Sequence, residues 1–380
     1  MLCILAGRFA ARIGTPVLLV FLVLGMLAGE DGPGGIPFND FGLTYLLGSI
    51  ALVVILMEGG LKTSGAMLRS AGVPAAVLAS AGVALTAGIV GAAIVALFGL
   101  PWVAALLIAA LVSPTDAAAV AAVLRGGGVS VPARVAAVLE VESGFNDPMG
   151  VFLTLILTEL LVLPAGMGWG RATGLFVWEM AGGAAMGIAA GWGLAWLLRW
   201  VEAEVALLAV LLLAGGFAVF GAAQVLHASG FLAVYAAGIM VRRGLGERIA
   251  AIEEAFEAFA WVAQIGLFVL LGLLVTPHLL VPLLGSAAVV ALVLMVVGRP
   301  VAVLLCLRPF GFSWAESGFV AWVGLRGAVP IYLATIPVLS GVPFGERIFA
   351  VVFVIVLLSL AVQGWTIAPA ARWLGLGGRG

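Results

Sequence analysis

Charge is what this sequence has least of. Only 9% of its 380 residues are Asp, Glu, Lys or Arg, against about 25% in a soluble domain. A water-facing surface could not be covered with so few, which excludes a soluble enzyme. Cysteine is nearly missing too: Cys3 and Cys306 stand far apart, so neither a disulfide framework nor a zinc site is available. The two histidines, His227 and His278, fall in loops between apolar stretches. Basic and acidic residues number 17 and 18, a net charge of −1, so no nucleic acid partner is implied. Low-complexity linkers are absent, and no segment between the apolar stretches could form a soluble domain. The apolar start MLCILAG ends at Arg8, too short for a signal peptide or a span.

What is abundant is apolar surface, 64% of the chain. A spanning helix uses about 20 apolar residues. Twelve apolar stretches are read as coarse spans: 14–29, 43–60, 72–98, 101–124, 135–161, 171–199, 204–224, 229–241, 256–276, 281–306, 315–339 and 346–370. The fold class is therefore an all-α polytopic membrane protein, with the lipid bilayer as its first partner. With a cytoplasmic N-terminus, the inner loops hold thirteen of the 17 Lys and Arg residues and the outer loops only Arg171 and Arg347. Basic loops stay inside, so both termini are expected to be cytoplasmic. Arg299 and Arg326 remain within spans.

Two spans are interrupted. The fourth contains Val112-Ser113-Pro114-Thr115-Asp116 and the eleventh Gly324-Leu325-Arg326-Gly327-Ala328-Val329-Pro330. Proline removes a backbone donor and clashes with the preceding turn. Irregular backbone at membrane depth survives only when buried in protein or lining a cavity. The two spans are seven apart and so cross in opposite directions, which is the pattern of inverted repeats with a substrate site near the midplane.

Each charge at this depth costs at least about 2.5–3.5 kcal/mol on insertion scales and needs a reason. The fifth span reads Glu142-Ser143-Gly144-Phe145-Asn146-Asp147. Ser143 and Asp147 stack four apart on one helix face, with Glu142 and Asn146 on the neighbouring face. Asp116, Glu142 and Asp147 then stand against Arg326. Arginine does not shed its proton, so it should pair with one carboxylate. Asp147 is left with a hydroxyl on its own face and no committed cation, which is the place a transported cation or proton would occupy. Asp116, directly after a helix break, is expected to cap the second half-helix. Glu58, beside Gly59-Gly60 at the end of the second span, reads either as an interfacial acid or as a pathway acid.

The strings SPTDAAAV (113–120), ESGFNDPMGVFLT (142–154) and GLRGAVPIYLA (324–334) resemble the NhaP branch of the monovalent cation:proton antiporters. TPVLLVFLVLGMLAGEDGPGGIPF and ILMEGG look like its potassium/proton, cell-volume-regulation members. The resemblance implies two inverted six-helix repeats with crossed, unwound helices, a homodimer, and a bacterial inner membrane. It implies that Asp147 binds cation and proton in turn, with Ser143 and a carbonyl near Thr115 as further ligands and Glu58 near the ion. Glu142 and Arg326 match a buried ion pair of the family. Asn146 before Asp147 matches its electroneutral branch.

By the same resemblance, residues 1–13 are the stub of a truncated first helix. Residues 14–376 then form one transmembrane domain, and no soluble regulatory domain is expected after it. No cofactor is expected beyond the transported K+ or Na+ and H+. The function this implies is exchange of a monovalent cation for a proton. The alternatives are a sodium-coupled organic anion carrier on the same architecture, or a channel or non-transporting scaffold.

Overall fold

The computed structural model describes residues 16–163 and 169–379; the expected stub at 1–13 lies outside them. Fourteen helices occupy the described residues. They are α1 (Val17–Ala28), α2 (Phe41–Lys62), α3 (Gly65–Phe98), α4 (Trp102–Leu111), α5 (Ala117–Gly126), α6 (Ala133–Val162) and α7 (Trp169–Trp200). There follow α8 (Val205–Val225), α9 (Gly230–Leu245), α10 (Ile249–Leu274), α11 (Pro277–Phe310), α12 (Trp314–Trp322), α13 (Ala328–Leu339) and α14 (Gly345–Trp373).

These account for the twelve expected spans, with the fourth split into α4 and α5 and the eleventh into α12 and α13. Eight of the helices are long and apolar enough to cross a bilayer unbroken. The ninth span starts earlier than expected, at Ile249 rather than 256. Its acidic lead-in is helical, and within it Glu253 and Glu257 are ion-paired, to Arg242 at 2.7 Å and to Lys62 at 3.4 Å.

Local sequence sets the helix ends. Ser313 and Glu316 form a reciprocal capping box at the start of α12, satisfying two amides that the helix leaves open. Ser229 caps α9 through the Leu232 amide. At Gly99 the chain turns left-handed, φ 64°, which a side chain would resist.

The chain divides into two compact units. The first holds residues 1–45, 73–166 and 267–380. Within it, α3 and α11 each contain one π turn, Leu78–Gly82 and Leu294–Gly298. These helices are the third and tenth spans, again seven apart, so a second pair of matched irregularities follows the inverted repeat. The two helices pack together, with Gly298 against Val90 and Thr86 and Gly82 against Cys306. On the loop after α1, Asp31 Oδ2 accepts from the His278 amide at 2.8 Å and lies 2.7 Å from its ring Nδ1.

The second unit holds residues 46–72 and 167–266. Its centre is the close approach of α7 and α9. Gly183, Gly187 and Gly191 face the backbone of Ser229, Ala233 and Ala237, where any Cβ would overlap a carbonyl oxygen. Small residues at this spacing let two membrane helices touch backbone to backbone. Gly60 of α2 meets Gly238 of α9 in the same manner, and Thr63 and Tyr235 share a hydroxyl–hydroxyl bond of 2.9 Å beside it.

Candidate functional site

The interruptions in the fourth and eleventh spans meet in the first unit. Residues 112–116 and 323–327 are extended or turn-like, and Pro114 falls inside the gap, where no helical bond is lost. Pro330 is the third residue of α13, a position whose amide has no intrahelical acceptor. The two strands of unwound chain bond to each other: the Asp116 amide donates to the Leu325 carbonyl at 2.9 Å. Each gap thus repairs part of the backbone deficit of the other, which lets both persist at membrane depth.

Four half-helix ends converge here, and two side chains answer them. Asp116 is the N-cap of α5, accepting from the Ala119 amide at 2.9 Å. Its other carboxylate oxygen lies against Gly327, just ahead of α13, so closely that a Cβ there would overlap it. One anion therefore sits at two positive helix termini. Arg326 does the opposite at the C-terminal end of α4, donating to the carbonyls of Ser113 and Pro114, the latter at 2.9 Å. Its own amide donates to Ser359 Oγ at 3.0 Å. That hydroxyl donates to Gln363, whose amide reaches the Trp322 carbonyl at 2.7 Å.

Glu142 is not the partner of Arg326. It pairs in a two-pronged fashion with Arg299 of α11, at 2.5 and 2.8 Å, both side chains being at most 2% exposed. The expected Glu142–Arg326 pair is corrected accordingly. Gly324 lies against the Arg299 side chain and leaves it the room, while the free carbonyls of the fourth-span gap claim Arg326. Arg299 was legible as a buried charge in the tenth span, and its place in the charge balance was missed. The Ser359–Gln363 pair was missed too, although two polar residues four apart in an apolar span were visible.

The third acid stands apart. Asp147 on α6 is buried, and its Oδ1 has no hydrogen-bond partner among the described residues. One turn earlier, Ser143 Oγ donates to the Thr115 carbonyl at 3.0 Å and accepts from the Ala117 amide at 3.3 Å. Asn146 donates to Thr115 Oγ1 at 2.7 Å, and its own Oδ1 is likewise buried without a partner. Gly150 packs on Pro114, holding α6 against the gap. The structure thus brings Thr115, Asp116, Ser143, Asn146 and Asp147 together. Glu58 belongs to the second unit, where it is buried and ion-paired with Lys62 four residues on.

An acid, an amide oxygen, a hydroxyl and a backbone carbonyl form an all-oxygen donor set. Hard cations take such ligands, and a carboxylate also takes a proton. The profile of the sodium/hydrogen exchanger transmembrane region matches residues 1–373. This chain belongs to the sodium/hydrogen exchanger family. It is 43% identical over 376 residues to the K(+)/H(+) antiporter NhaP of Alkalimonas amylolytica, covering 99% of this chain and 65% of that protein. It is 42% identical over 371 residues to the K(+)/H(+) antiporter NhaP2 of Shewanella baltica (strain OS223), covering 97% and 64%. The chain therefore spans about 65% of the length of these curated relatives. Its fold matches the sodium proton antiporter MjNhaP1 from Methanocaldococcus jannaschii at pH 8, with a TM-score of 0.85 and 22% identity over 98% of this chain and 96% of that one.

Proposed function

We propose that this protein exchanges a monovalent cation, K+ or Na+, for a proton, by competition of the two at Asp147. The observation that carries the reading is the buried Asp147 carboxylate, with one oxygen unpartnered, one turn from Ser143 and the Thr115 carbonyl. Thr115, Ser143 and Asn146 complete the proposed site, and Glu58 is a proposed pathway acid from the second unit. The relatives named K(+)/H(+) antiporters support exchange of a monovalent cation against a proton.

Burial explains why competition becomes exchange. A bare carboxylate in a low-dielectric barrier is costly, so the site reorients well only when a cation or a proton neutralises it. One cation then crosses for each proton, and no net charge moves. In this reading the chain is a multi-pass protein of a bacterial inner membrane, with both termini cytoplasmic and two copies forming a homodimer. A sodium-coupled carrier of organic anions would need an uncommitted buried cation. Arg326, engaged by two carbonyls, and Arg299, engaged by Glu142, argue against it.

The test is Asp147→Asn in proteoliposomes. The variant should fold and reconstitute but lose cation-driven proton movement, and retained exchange would refute the role of the carboxylate. Transport by the unaltered protein should ignore an imposed membrane potential; a clear voltage dependence ends the one-for-one reading.

A further inference from the structure

A half-open cavity lined by arginines and apolar residues lies wholly in the second unit, where α2 passes into α3 and α9 ends. It encloses about 610 Å3 and is lined by Thr63, Gly65, Leu68, Arg69, Arg242 and Arg243 among others; no acidic side chain lines it among the described residues. The three arginines differ in how they are held. Arg242 donates to the Leu61 carbonyl at 2.5 Å and to Glu253 at 2.7 Å. Arg69 and Arg243 are exposed and have no hydrogen bond or ion pair among the described residues. Loop arginines follow from membrane orientation alone, but orientation requires neither a cavity nor their convergence on one.

The backbone adds to the charge. Ser64 caps the long helix α3, accepting from the Met67 amide at 3.2 Å. Gly65, with no side chain, begins the helix at the cavity wall. A helix start offers free amides and a positive end to an anion, and guanidinium forks match phosphate oxygens. We infer that this cavity binds a phosphate-bearing anion between Arg69, Arg243 and the start of α3. A lipid headgroup at the membrane surface or a soluble phosphate would supply the same chemistry. The inference is independent of exchange at Asp147, because it concerns binding alone.

The experiment follows thermal unfolding of the full chain in detergent, with phosphatidylglycerol, phosphatidylcholine, or inorganic phosphate against chloride at equal ionic strength. Phosphatidylglycerol should raise the midpoint and phosphatidylcholine should not. In the doubly substituted R69Q/R243Q protein the apparent affinity should fall about tenfold or more, the loss of charge-assisted hydrogen bonds. An R171Q/R347Q control, which removes equal charge elsewhere, should keep it. Stabilisation by phosphatidylglycerol alone assigns the lipid, and stabilisation by inorganic phosphate as well assigns a soluble source. No stabilisation by either, or equal stabilisation of the R69Q/R243Q protein, overturns the site.

Discussion

The Glu142–Arg299 pair should be the most costly contact in the first unit to break by half. Both side chains are at most 2% exposed and joined by two hydrogen bonds. Removing one partner leaves an ion without compensation in a medium that cannot solvate it. Such a loss costs about 3–5 kcal/mol, a large share of a typical folding stability of about 5–15 kcal/mol. Glu142→Gln and Arg299→Gln should therefore each sharply reduce folded yield and resistance to dodecyl sulfate in mixed micelles. The double variant should lose far less than the two together, with an interaction energy on the order of 2 kcal/mol. Replacing the pair by Met and Leu should come close to the parent, since apolar substitutes of similar volume avoid the desolvation penalty. The same cycle between Glu142 and Arg326 should give a smaller energy, because Arg326 is held by the Ser113 and Pro114 carbonyls. A larger coupling to Arg326 than to Arg299 would show that this arrangement of charges is wrong.

Three further outcomes follow from the packing. Gly327→Ala should cut transport far more than Gly88→Ala, because a Cβ at 327 overlaps the Asp116 carboxylate while one at 88 meets nothing; equal effects in flux assays would refute the close approach. Gly187→Val should destabilise the second unit by about 1–3 kcal/mol through overlap with the Ala233 backbone, read as earlier thermal unfolding. The bonds from His278 hold the Asp31 carboxyl below its ordinary 3.8. That contribution is present above the ordinary value and fades as pH falls through the lowered one. Protection of the 29–40 loop from proteolysis should drop in that acid range, and Asp31→Asn should remove the pH dependence.

Helices and their interruptions were legible because each has a local cause. Pro114, Asp116, Gly324 and Gly327 favour a break in an apolar helix, Pro330 is suited to the first turn of the helix that follows, and the spacing of the two gaps follows from counting spans. The capping geometry of Asp116 is local as well, set by the residue type and the break before it. Partner choice was not legible in that way. Arg299 and Arg326 lie in different spans, and which of them meets Glu142 depends on how α6, α11 and the two gaps cross. Carbonyls freed by an unwound segment also accept from a guanidinium, as those of Ser113 and Pro114 do from Arg326, and no residue letter records them. The π turns were hidden for a related reason. Leu78–Gly82 and Leu294–Gly298 contain no proline and no charge, so the wide turn leaves no mark on the apolar pattern.

Those two wide turns bear on how this chain tolerates length changes. A π turn amounts to one surplus residue held within an otherwise regular helix. Deleting a single residue from 78–82 or 294–298 would restore even winding and leave both flanking faces aligned. The same deletion in mid-α14 would rotate everything beyond it by about 100°. The third and tenth spans are therefore where the loss of one residue is best absorbed.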